Sequence, residues 1–318
     1  MYNHINKKYM FLFFGILILV MIGAYILNTV LPSPYSKPSP YGNNEELKSS
    51  YVTIRDTKGN IILQTGLPVH KDDEYINEKN IHYKIIKVTG NNATAEIKKG
   101  SQSNIIPTTP NSASLAALSR SIPVQAGTAH HMAIYHTHSD EAFVPTSGTA
   151  SKPGNGDVYK VGSSMTDSLS AGGISVTHSF AKHDPHDINA YHRSRRTVTQ
   201  LLKEQPDAIF DVHRDSAPLS AYKTTVNGID TARVMIVVGR SNPNMKTTLK
   251  YAQAVKSRLD ALHPGLMRGI FMGQGDYNQD LYPTALLFEI GTEQNSLQAV
   301  QKAGVLLTDA IISLVYSK

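Results

Sequence analysis

Three segments of the chain each run from apolar residues directly into side chains that can bind metal or move protons. His136, His138 and Glu141 follow the apolar start of IYHTHSDEAF. Asp211, His213, Arg214 and Asp215 lie in AIFDVHRDS, and Glu289 follows the apolar run of ALLFEIGTEQNS. A lone His at a strand end is most often a hydrogen-bonded structural residue, and HxxE recurs by chance. Three such ends in one chain ask for a shared explanation. Two His and one Glu with an open fourth position form the ligand set of catalytic zinc in peptidases. The ion lowers the pKa of its water towards ~7. His138 and Glu141, close together in a turn after a strand, can converge on one ion, and His213 from a neighbouring strand supplies the third ligand. A further carboxylate must then take the water's proton and pass it to the leaving amine. Glu289 is the candidate, because a carboxylate ending an apolar run is costly to bury without a partner.

His136 keeps one choice open. In an extended segment it shares a side with His138, so either can be the ligand while the other supports the site or meets substrate. The compact HxxE chelate favours His138. Arg214, beside a ligand, suits an oxyanion or carboxylate contact, or a salt bridge with Asp211 or Asp215. Arg193, Arg195 and Arg196 can meet substrate carboxylates or form a solvated basic face. His178, His183, His186 and His192 make a loose cluster without ligand spacing, read as a loop lining the cleft.

The elements that must position these residues follow from periodicity. Apolar runs at 132–135, 174–180, 208–212, 232–238, 270–272 and 285–290 predict strands. Helical spacing predicts helices over 158–169 (stopped by Gly172-Gly173), 194–204, 244–262 (closed by Pro264-Gly265) and 296–315. Alternation of this kind implies an α/β fold, a mainly parallel sheet with helices on both faces. Sites in such sheets form at the carboxyl ends of strands, where the three segments fall.

Cysteine is absent, which excludes disulfides, thiolate zinc sites and thiol nucleophiles, so His and carboxylate must hold any metal. The formal charge of +6 suggests an anionic partner such as a bacterial wall or membrane. No concentrated Lys/Arg run or aromatic-basic interleaving points to nucleic acid. Residues 10–27, MFLFFGILILVMIGAYIL, carry no charge and follow Lys7 and Lys8. At ~1.5 Å per residue the run spans a ~30 Å hydrocarbon core. The positive-inside rule keeps the N-terminus cytoplasmic and the remainder outside. A cleaved signal peptide would have a shorter core and a small-x-small site. The expected organisation is therefore a cytoplasmic N-terminus and single-pass membrane anchor over 1–31 and a Pro/Ser-rich tether over 32–50. A small β-rich module over 51–99, a linker over 100–127 and a catalytic domain over 128–318 follow.

The segments YHTHSDEAF, HDINAYHRSRRT, DVHRDS, ARVMIVVG and YNQDLYPTALLFEIGTEQNSLQAV resemble the stage II sporulation protein P family. The likeness runs, in order, over about the last 190 residues, and the anchor and β module suit that family's layout. The resemblance implies a zinc N-acetylmuramoyl-L-alanine amidase, also credited with endopeptidase activity, on a zinc-exopeptidase-like fold. It implies peptidoglycan as substrate and stage II sporulation proteins D and M as membrane partners during spore engulfment. It covers the His136/His138 pair, Glu141, His213 and Glu289. Asp140 and Ser216 depart from it, standing where the family usually has a small hydroxyl residue and Ala. The competing expectations are a zinc endopeptidase cutting stem-peptide cross-links and a non-catalytic wall-binding scaffold. A related vegetative wall hydrolase would read the same way.

Overall fold

The computed structural model describes residues 51–98, 130–187 and 189–317. The expected anchor, the tether and the 100–127 linker lie outside the described residues. One eleven-stranded sheet runs through the domain, in the order β2-β1-β5-β4-β3-β12-β11-β13-β8-β6-β7. Its first five strands are β1 (Val52–Asp56), β2 (Ile61–Thr65), β3 (Glu74–Asn77), β4 (His82–Thr89) and β5 (Asn92–Ile97). The rest are β6 (His131–Tyr135), β7 (Ser175–His178), β8 (Ala208–Asp215), β11 (Val234–Gly239), β12 (Met267–Gly273) and β13 (Ala285–Thr292). A separate hairpin pairs β9 (Lys223–Val226) with β10 (Ile229–Ala232) through Asn227-Gly228, both at positive φ, as a type I′ turn requires.

The sheet is mixed as a whole and mostly parallel from β7 to β12. β7, β6, β8 and β13 run parallel to their neighbours, but β11 lies antiparallel to β13. β12 is parallel to β11, and β3 then pairs antiparallel with β12. The β-rich segment thus continues the sheet. Met235, Val237, Phe271 and Leu287 from the later strands share a core cluster with Val52, Ile54, Leu63 and Ile85.

Among the described residues, six α-helices flank the sheet: α1 (Val144–Ser147), α2 (Val158–Ala171), α3 (Ala190–Leu201), α4 (Leu219–Tyr222), α5 (Met245–Leu262) and α6 (Leu297–Val315). α6 starts where Ser296 accepts a hydrogen bond from the Ala299 N–H, an N-cap that satisfies an orphan donor. By length and composition α6 could cross a membrane, but it is mostly buried as a core helix of this domain. Strand alternation sorts the sheet's two faces. Met132, Ile134, Ala208, Phe210, Val212, Leu286, Phe288 and Ile290 pack with α2, α5 and α6. Ala133, Tyr135, Ile209 and Ala285 face the other way, against Val198 and Leu201 of α3.

The seam at β3 carries an ion cluster. Glu74 accepts hydrogen bonds from His82 at 2.7 Å and from Lys98 at 2.8 Å. The His82 contact, helped by Lys98 and opposed by burial, lowers the Glu74 carboxyl to about 2. Its folded value lies below the unfolded one, so its stabilisation is present above about pH 4.5 and lost as pH falls towards 2. Solvent screening reduces the worth of so accessible a cluster to about 1 kcal/mol. Glu74→Gln should therefore lower stability by about that amount at pH 7. The difference from the parent should shrink below about pH 4.5 and vanish in urea titrations only near pH 2.

Candidate metal centre

The carboxyl ends of β6, β8 and β13 meet at one edge of the sheet. β8 and β13 pair in parallel with Glu289 directly beside His213, and Tyr135 of β6 sits beside Asp211. Asp211, His213 and Asp215 share the parity of Ile209 and so lie on the α3 face of β8; Glu289 shares the parity of Ala285 and Leu287 on β13. All of these polar side chains are buried. Directly after Glu289 the β8–β13 register shifts, and Gly291 adopts φ 73° where a Cβ would sit 2.8 Å from Val300. Glycine there lets the strand break its ladder at the site's edge.

Glu141 is the hub. Its Oε1 lies 3.1 Å from His138 Nδ1 and 3.3 Å from His213 Nδ1, while Oε2 accepts a 2.9 Å bond from the Arg214 backbone N–H. Burial works against its charge, but His213, His138 and Arg214 together hold its carboxyl well below the usual range. His213 Nε2 lies 2.9 Å from Asp211 Oδ1. Burial disfavours the His213 cation, yet Asp211 and Glu141 outweigh it and raise its pKa well above the ordinary imidazole value. Asp211 is itself fixed by Thr137, whose N–H donates at 2.8 Å and hydroxyl at 2.6 Å. Tyr191 of α3 stacks over His213 with ring centroids 6.4 Å apart, and His138 sits edge-on to it at 5.7 Å.

His138 is buried, and burial with the neighbouring His186 lowers its pKa to about 4, so it is neutral and able to ligate. Its Nε2 is buried without a hydrogen-bond partner, an orphaned lone pair or proton of the kind a metal site explains. Ligand atoms of His138, Glu141 and His186 lie within 4.8 Å of one another, a grouping that could hold a metal ion. These donors are nitrogen and carboxylate oxygen, the set that suits zinc.

The residues expected from sequence separate clearly. His138, Glu141 and His213 converge, and Glu289 lies next to His213. His136 does not join them. The strand ends at Tyr135 and the chain bends, so His136 keeps the parity of Ile134 and faces α2 instead of sharing a side with His138. There its Nδ1 donates to the Val212 carbonyl at 2.7 Å, its Nε2 pairs with His178 Nε2 at 2.8 Å, and burial lowers its pKa to about 3. Gly162 of α2 permits this approach, since a Cβ there would meet His136 Nε2 at 2.7 Å.

Three of the four arginines expected at substrate have partners inside the protein. Arg214 donates to the Ala150 carbonyl at 3.1 Å. Arg195 forms a forked pair with Asp280 at 2.8 and 2.6 Å. Arg193 binds the His183 and Pro185 carbonyls and Asp187. Asp215 ties the β-rich segment to the end of β8: it accepts from Thr65 Oγ1, the Gly66 N–H and Tyr222. Gly66 packs so closely that a Cβ would sit 2.6 Å from Ser216 Cβ.

Sequence reasoning gave His186 no role at the metal group, because it lies in an irregular stretch without periodicity. The signal available was the density of ligand types in HDPHD.

With this geometry in hand, the family model described as stage II sporulation protein P matches residues 46–312. The chain belongs to that family. It is 29% identical over 202 residues to stage II sporulation protein P of Bacillus subtilis (strain 168), a match covering 58% of this chain. The match spans 50% of that protein's length. Among solved structures, the chain is similar to the N-acetylmuramyl-L-alanine amidase Ami1 of Mycobacterium smegmatis at a TM-score of 0.40 and 14% identity, covering 59% of this chain and 98% of that one. It is also similar to an N-acetylmuramoyl-L-alanine amidase of Clostridium difficile 630 at 0.38 and 16%, covering 59% and 96%.

Proposed function

We propose that this member of the family is a zinc-dependent peptidoglycan hydrolase cleaving the amide between N-acetylmuramic acid and the L-alanine of the stem peptide. The observation that carries the reading is the register of Glu289 with His213 beside the Glu141 hub, which sets a proton carrier against a donor group. His138, Glu141 and His213 would hold the ion. When bound, zinc supplies Lewis-acid activation of a water and of the amide carbonyl. Glu289 takes the attacking water's proton and returns it to the leaving amine. Asp211 fixes the His213 ring and its tautomer, and Tyr191 closes the α3 side against bulk water.

The family name supports a role in sporulation, and septal wall remodelling during engulfment is the role proposed within it. The charge-free run at 10–27 after Lys7 and Lys8 would hold the domain at the membrane as a single-pass protein, on the outer side. Stage II sporulation proteins D and M are the proposed membrane partners, and the net charge of +6 suits an anionic wall.

Digestion of purified sacculi followed by mass spectrometry tests the bond cleaved. Glycan strands stripped of peptide are the expected product, released by zinc-loaded protein and not after chelation, with activity restored by zinc. Intact lactyl-amide bonds with cut cross-links would make the protein an endopeptidase instead. Binding without any cleavage would make it a scaffold.

A further inference from the structure

We propose that His186, steered by Asp140, is an additional protein ligand of the same metal ion, so that the resting site is closed by protein donors. The inference rests on the metal-hydrolase reading above. His186 lies after α2 and β7, in the irregular stretch that leads into α3. Its ring stacks on His138 with centroids 3.8 Å apart and planes at 26°. Its ligand atom shares the 4.8 Å grouping with those of His138 and Glu141. Asp140, one residue before Glu141, is buried and pairs through Oδ1 with His186 Nδ1 at 3.0 Å; Ser151 donates to its other oxygen at 2.5 Å. With Nδ1 donating to a carboxylate, Nε2 carries the lone pair, the arrangement by which a second carboxylate orients a ligating imidazole.

The surrounding chain is built to hold His186 in place. Arg193 of α3 binds the His183 and Pro185 carbonyls and the Asp187 carboxylate. Asp184 accepts from Ser139 Oγ at 3.2 Å and from the Gly154 N–H at 2.9 Å. His183 Nδ1 donates to the His136 carbonyl at 2.7 Å, and the His183 N–H to Ser139 Oγ at 2.9 Å. The stretch is therefore bonded before His186 to the turn that carries His138 and Glu141, and on both sides of His186 to Arg193 of α3. Catalytic zinc keeps three protein ligands and an open position, whereas four protein donors make a closed site. Beside His138 and Glu141, His186 would be a further protein donor of the resting site, with His213 Nδ1 3.3 Å from Glu141 Oε1.

The test measures zinc affinity by chelator competition, with cobalt-substituted protein giving a visible absorption spectrum that reports ligand number. Asp140→Asn should lower zinc affinity by up to about 10- to 100-fold, the range for orienting partners, and His186→Ala should lower it by more. Both should shift the cobalt bands towards a more open site. Circular dichroism confirms that each variant is folded, and the conservative Asp140→Asn change preserves side-chain volume. Affinity and cobalt spectrum of both variants unchanged from the parent, while His138→Ala loses the metal, would overturn the role of His186 and leave the metal centre standing. A parent protein that takes up no zinc or cobalt would overturn both. Tight binding that weakens in His186→Ala, without any amide hydrolysis by the parent, would sink the proposed activity alone.

Discussion

Glu289→Gln should reduce hydrolysis of sacculi by about 10²- to 10⁴-fold, the range supplied by a positioned general base. The side chain keeps its volume, so the burial of this position in β13 is retained. Zinc content and thermal midpoint should stay near those of the parent, because the residue is assigned to proton transfer and not to coordination. The argument rests on placement. Glu289 shares a face and a register with His213, so a water activated at the His213 donor lies within reach of the carboxylate. The chain extends no comparable carboxylate from β13, since the next acidic residue, Glu293, follows the Gly291 break. Two results would overturn the assignment. Undiminished turnover would show that another group carries the proton. Loss of metal along with activity would make Glu289 a ligand.

The strand ends were legible because burial on both faces writes itself as continuous apolar runs, and a charged residue stands out at the end of such a run. ALLFE and AIFDVH thus announced Glu289, Asp211 and His213 before any geometry. Periodicity also located α2, α5 and α6 closely, since each carries its apolar stripe against the sheet. Direction and neighbour order were less accessible. The buried sequence VMIVVG of β11 reads the same whether it runs parallel or antiparallel to β13, and it runs antiparallel. The joining of β3 to β12 was hidden for a similar reason: it is made by backbone ladder bonds, which leave no residue-type signature. His136 misled because its side was inferred from strand alternation carried beyond the strand's end. The partners of the arginines were out of reach for a further reason: a guanidinium next to a site can as readily fix a loop as bind a substrate, and partner choice depends on tertiary geometry.

His138→Ala should abolish metal binding and hydrolysis together, with zinc affinity falling by more than the 10–100-fold lost with an orienting partner. His136→Ala should do something different. Its imidazole bonds the Val212 carbonyl and His178 and packs edge-on to Tyr159 at 5.1 Å, so its loss leaves a buried acceptor and a void beside α2. An unsatisfied buried acceptor costs about 1–3 kcal/mol, and the void adds to that. The variant should therefore unfold at lower urea concentration while binding zinc within a few-fold of the parent. The contrast separates a ligand from a structural neighbour two residues away, which activity alone cannot do, since both variants lose turnover if the destabilised one unfolds under assay. Calorimetric zinc titration below the unfolding temperature is decisive. If His136→Ala loses the ion and His138→Ala keeps it, the bend after Tyr135 must rearrange when metal binds, and His136 turns from α2 towards Glu141.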